Sequence, residues 1–308
     1  MKPVFAGPCR SKSVSRCSSN VFLRSRGPVR WFLAMGAIVA AIGMIGAAPS
    51  ARGQDKPGPQ TNVATDSEAE SLYDSPLNAT EEELSGILSP EDRIRAIKRW
   101  DSDIAHFEKL DKSETYPENS VMLLGSSSIR LWKQAAEMLA PFPIIQRGYG
   151  GARHADMVVF ARRLISPHQF RALVVFIAND ITGSKEDRTV EEVHKMVMHL
   201  IGVARQYQPD SPILLVEVTP TQSRWKVWPE IRSLNAMFRE VALTEPNVYC
   251  LATSEYYLTA DDMPRTELFI GDQLHQNEAG YLIWGDLIRR RLDEILSDEE
   301  VQVNATAG

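Results

Sequence analysis

The sequence predicts a three-layer α/β/α domain built on a five-stranded, mostly parallel sheet. Two observations carry that prediction. Apolar runs occur at 121–124, 143–145, 172–177, 213–218 and 248–251, and several are continuous rather than alternating, as strands covered on both faces require. Helical patterns lie between and after them, near 129–139, 153–165, 189–207, 229–243 and 278–296. Such alternation gives a parallel sheet with helices on both faces. Sites in sheets of this kind sit at the carboxyl ends of the strands.

The N-terminal part differs from the rest. Residues 1–53 hold eight basic residues and no acid, which leaves 26 basic against 40 acidic residues in the remainder, a net charge of −14. A body this acidic lacks the clustered Lys and Arg of a nucleic-acid binder, and no nucleic-acid partner is expected. Residues 31–48 carry no charge and end near Pro49-Ser-Ala51-Arg-Gly53. A basic stretch, an apolar run and then small residues describe a secretory signal. The run also approaches the length of a membrane span. Residues 1–53 are therefore a signal peptide or an N-terminal anchor, with cleavage favoured by the small residues. The body is expected outside the cytoplasm, periplasmic or secreted, and at a membrane only where residues 31–48 stay attached. Of the three cysteines, Cys9 and Cys17 precede the run. Cleavage leaves Cys250 alone, with no intrachain disulfide and no cysteine metal cluster.

Residues 54–87 are polar and acidic and are expected to be a disordered linker. A helix start follows at Ser89-Pro90-Glu91-Asp92, with Ser at the N-cap, Pro at the first helical position and acids in the first turn. Ile94, Ile97, Trp100, Ile104 and Phe107 continue it at helical spacing. The catalytic domain is thus expected over 88–298, with a flexible tail at 299–308. In the last helix Tyr281, Trp284, Ile288, Leu292 and Ile295 form one apolar stripe.

Four turns hold the residues with chemistry. After the first run comes Gly125-Ser126-Ser127-Ser128. A strand that breaks into a helix exposes a serine beside free N–H groups and the positive helix end, although serines there also serve as plain caps. After the second comes Arg147-Gly-Tyr-Gly-Gly151-Ala-Arg153. It fails the dinucleotide fingerprint, because Arg153 stands where the third Gly belongs. What it offers is backbone N–H groups for an oxyanion. Asn179-Asp180 follows the third run. Asp272 and His275 lie three apart before the last helix, a spacing that lets the carboxylate orient one ring nitrogen and leaves the other as a base. His154 is the one rival histidine.

Together the four segments resemble the SGNH (GDSL-type) hydrolases over roughly 119–293. The resemblance is carried by Gly125-Ser126-Ser127, Gly151, Asn179-Asp180 and Asp272-x-x-His275. It implies a flavodoxin-like SGNH hydrolase fold and assigns roles by position. Ser127 matches the nucleophile, His275 the base and Asp272 its orienting carboxylate. Backbone N–H groups of Ser127 and Gly151 and the Asn179 amide match the oxyanion hole. Ser126 stands where the family usually has Asp, with Ser128 left to cap the helix. Ile177 replaces the usual Gly of the third block, and its branched side chain is expected to reshape the oxyanion loop or fill the substrate pocket. Arg130 and Arg153 are candidates for an anionic substrate group, and Trp225 and Trp228 for a sugar- or acyl-binding surface.

The resemblance implies a serine esterase, which the N-terminal segment would export, acting on a small-molecule or carbohydrate ester, such as a sugar O-acetyl ester, with no metal or organic cofactor. The alternatives are a lysophospholipase or thioesterase for longer acyl chains, or an inactive ligand-binding protein of the same fold.

Overall fold

The apolar runs pair as the alternation predicts. The computed structural model describes residues 74–306, with side chains through residue 297. The strands are β1 (Val121–Gly125), β2 (Ile144–Gly148), β3 (Ala172–Phe176), β4 (Ile213–Val216) and β5 (Val248–Leu251). All neighbouring pairs are parallel, in the order β2-β1-β3-β4-β5. The chain runs from β1 outward to β2 and then crosses to β3 on the other side of β1. That reversal opens a crevice at the carboxyl ends of β1 and β3.

Period-two alternation splits each central strand between two cores. Met122 and Leu124 of β1 and Leu173 and Val175 of β3 face one core. The helices α1 (Pro90–Asp111), α4 (His154–Ile165), α5 (Val190–Tyr207) and α6 (Trp228–Thr244) cover it. Val121, Leu123, Val174 and Phe176 face the other. That side is closed by α2 (Ser127–Leu131), α3 (Ala135–Met138) and α7 (Glu278–Thr306), whose whole apolar stripe is buried there. Helix α1 begins as expected, with the Ser89 hydroxyl accepting from Asp92 N–H at 3.1 Å.

Several expectations need correction. The helix foreseen over 129–139 is two short pieces, α2 and α3, separated at Trp132, whose ψ of 79° leaves the helical region. Ser126, not Ser128, takes the N-cap position of α2. Residues 74–87 of the expected linker pack against the domain. Ala79 and Leu84 are buried, Ala79 N–H donates to Val159 O at 2.9 Å, and Asp74 pairs with Arg93 at 2.9 Å. Average composition hid these anchors, because two apolar side chains suffice to hold a short segment. At the other end, α7 continues past residue 298 to Thr306. The signal or anchor at 1–53 and the first part of the linker lie outside the described residues. Among the described residues, no helix is long and apolar enough to cross a membrane.

Candidate active site

The crevice at the ends of β1 and β3 is where the first turn was expected to act. Gly125 ends β1 because nothing larger fits: a Cβ there would lie 2.1 Å from Phe176 O and 2.7 Å from Ile129 Cγ1. This close approach lets Ser126 N–H donate to Phe176 O at 3.1 Å and starts α2 at once. Ser127 is the first residue of α2, so its N–H has no acceptor within the helix.

The turn 270–276 brings in the second half of the site. Ile270 N–H donates to His275 O at 2.9 Å, Gln273 N–H donates to Ile270 O at 2.9 Å, and Gln273 takes a left-handed φ of 54°. Within this turn the Asp272 carboxylate accepts from Leu274 and His275 N–H at 2.9 and 3.0 Å. Its other oxygen lies 2.7 Å from His275 Nδ1. His275 Nε2 lies 2.9 Å from Ser127 Oγ. Partial burial works to raise the Asp272 carboxyl, but the hydrogen bonds from the His275 ring and the two backbone N–H groups outweigh it and hold it below its ordinary 3.8.

Asn179, after β3, lines the same cleft as Ser127 and His275. Its Nδ2 donates to Ala152 O at 2.9 Å. That bond ties the third block to the turn holding Gly151, which has a φ of 78°. Gly151 stands beside Ala152 but is not itself a wall of the cleft. The cleft has a volume of about 20 Å³, room for one water-sized body. Among the described residues, no three His, Cys, Asp or Glu side chains converge as metal ligands would.

Other expected residues fall elsewhere. His154, the rival, is buried at the start of α4 with Nδ1 2.7 Å from Asp180 Oδ2, while its N–H donates to Asp180 Oδ1 at 3.0 Å. Asp180 thus fastens the loop after β3 to α4. Ile177 does not enter the pocket. It continues the alternation of Leu173 and Val175 into the core beneath α4, α5 and α6, because a residue two positions beyond Val175 in extended chain points the same way. Arg153 is engaged by Glu186, donating to its backbone O at 3.1 Å and lying 3.6 Å from its carboxylate. Arg130 is exposed. Trp225 and Trp228 stack on each other, 5.9 Å between ring centres and 18° between planes. They line a separate wide groove of about 920 Å³.

One residue of the cleft was not singled out from sequence. Arg224, in the 3₁₀ turn Gln222–Val227, lines it beside Asn179. Its guanidinium donates to Ala178 O and, through Nη2, to Asn179 Oδ1 at 2.6 Å. Burial pushes it down to about 10, still protonated at neutral pH. Its neighbours Trp225 and Trp228 had drawn attention, but nothing local marks an arginine that acts 45 residues away in sequence.

Comparison with known proteins agrees with this architecture. Residues 124–283 match the GDSL-like Lipase/Acylhydrolase family. Among solved structures, a GDSL-like lipase from Bacteroides thetaiotaomicron superposes with a TM-score of 0.54 at 15% identity, covering 62% of this chain and 97% of its own. A Bacteroides fragilis protein assigned as an acylhydrolase gives 0.55 at 18% identity, covering 62% and 95%. A Streptococcus pneumonia protein assigned as a platelet activating factor gives 0.56 at 17% identity, covering 65% and 94%. At these identities the likeness is one of fold. No curated protein matches the sequence.

Proposed function

The chain belongs to the GDSL-like lipase/acylhydrolase family, and from that premise we propose that it is an exported serine esterase working through an acyl-enzyme. The observation that carries the reading is the unbroken line Asp272 Oδ2–His275 Nδ1 at 2.7 Å and His275 Nε2–Ser127 Oγ at 2.9 Å. A serine hydroxyl is a poor nucleophile until a base takes its proton. Here His275 Nε2 accepts the proton as Ser127 Oγ attacks the ester carbonyl carbon. Asp272 holds Nδ1 protonated and steadies the imidazolium that forms. The tetrahedral oxyanion is received by Ser127 N–H and the Asn179 amide, the two expected donors whose residues line the cleft. His275 then returns the proton to the departing alcohol. A water molecule, deprotonated by His275, attacks the acyl carbon; the acyl C–Oγ bond breaks, and His275 returns the proton to Ser127 Oγ as the acid leaves.

A short acyl group, acetyl above all, is proposed over the long chains of a lysophospholipase or thioesterase on the strength of the family resemblance and the expected export. The groove at Trp225 supports a carbohydrate as the alcohol portion, since a half-buried indole, backed by the buried Trp228, offers one flat apolar face amid polar side chains. Export rests on the charge-free run at 31–48 behind basic residues. An inactive, ligand-binding reading loses its main argument with Ile177 turned into the core.

Ser127→Ala is expected to abolish hydrolysis of 4-nitrophenyl acetate with unchanged thermal unfolding. Full activity in that variant would sink the assignment. Acetate, butyrate and octanoate esters assayed side by side should show activity falling with chain length.

A further inference from the structure

The Asn179 carboxamide faces two fixed partners of opposite kind. Arg224 Nη2 donates to its oxygen at 2.6 Å, and Ala152 O accepts from its nitrogen at 2.9 Å. A flipped amide would set NH₂ against the guanidinium and oxygen against a carbonyl, so both contacts would turn repulsive. The same guanidinium also donates to Ala178 O. One rigid fork therefore grips the backbone and the side chain of the loop after β3. Only arginine offers that fork, because lysine presents a single point of charge.

We infer that Arg224 is a positioning residue of the oxyanion hole: it fixes Asn179 so that the second amide hydrogen is presented to the cleft, and its charge lies where an oxyanion develops. The inference rests on the serine esterase reading above. Three observations support it. Arg224 lines the cleft together with Ser127, Asn179 and His275. Its hydrogen-bond partners among the described residues are uncharged oxygens, so no carboxylate contact cancels its charge. Asp180 and Asp187 offset it only at longer range, and Arg153 opposes them. The segment that carries it is itself tied to the catalytic turn, since Ser223 N–H donates to Gln273 O at 3.2 Å. One hydrogen-bonded path thus links the Asp272–His275 turn, Arg224 and Asn179.

The test is a mutant cycle on the full protein with 4-nitrophenyl acetate, comparing Asn179→Ala, Arg224→Ala and the double variant, with Arg224→Lys and Ser127→Ala as references. Arg224→Ala is expected to lower kcat about 10²-fold, in the range of one lost oxyanion donor, with KM changed far less. The double variant should fall well short of the product of the two single losses, because most of the Arg224 effect acts through Asn179. Arg224→Lys should keep the thermal unfolding of the wild type and recover only part of kcat, which covers the case in which Arg224→Ala fails to fold. A wild-type kcat in Arg224→Lys and Arg224→Ala overturns the inference, as do losses that simply multiply in the double variant. Ser127→Ala separates the two levels. If it is inactive while the Arg224 variants are unimpaired, only this inference fails. If it is fully active, the esterase reading itself fails.

Discussion

His275 Nε2 lies 2.9 Å from Ser127 Oγ although 148 positions separate the two residues. The first stands in a tight turn before α7 and the second at the start of α2, and both elements pack on the same face of the sheet. Their meeting depends on the sheet face that both elements pack against, not on either turn alone.

Replacing Asp272 by Asn tests the orienting contact. Asn cannot hold Nδ1–H in the same way, so kcat for 4-nitrophenyl acetate is expected to fall about 10²- to 10⁴-fold with KM little changed. The same variant reads pH. The carboxyl of Asp272 is held below 3.8 in the folded protein, so its ionised form stabilises the fold at neutral pH, and that contribution is lost as pH falls through the folded value. Urea unfolding should therefore show a gap between wild type and Asp272→Asn that is level above about pH 5 and closes below 3.8.

Gly125→Ala should be among the most damaging changes in the chain. Its Cβ would meet Phe176 O at 2.1 Å, and a backbone carbonyl in a central strand cannot step aside. A loss of about 4 kcal/mol or more, or failure to fold, is expected from urea denaturation.

Ile177→Ala separates a core role from a pocket role. A buried isoleucine truncated to alanine costs about 2–5 kcal/mol. The preference among acetate, butyrate and octanoate esters should stay as in the wild type, since Ile177 faces the core beneath α4, α5 and α6. A shift toward longer chains would place the side chain in the substrate pocket instead.

Leu84→Ala tests whether residues 74–87 belong to the domain. Leu84 is 1% exposed, so truncation should lower stability by about 2–5 kcal/mol. A change within about 0.5 kcal/mol, the size usual for surface positions, would return the segment to the status of a linker.

The sequence by itself determined the layers, the number of strands and the four turns that matter. Continuous apolar runs and helical periodicity are local signals, and each active-site block is a few residues long with its own backbone logic: a glycine that must lack a side chain, or an Asp and His close enough to meet in one turn. Only the tertiary structure decided which partners those blocks acquire. Ile177 looked like a pocket residue because sequence cannot say which face of an extended segment meets which core. The stretch 74–87 looked unattached because Ala79 and Asp74 depend on Val159 and Arg93, far along the chain or in the next helix, to hold them. Arg224 had no role assignable from sequence because its hydrogen bonds reach 45 and 46 positions away. Contacts between distant segments depend on how whole layers pack, and no window of sequence carries that information.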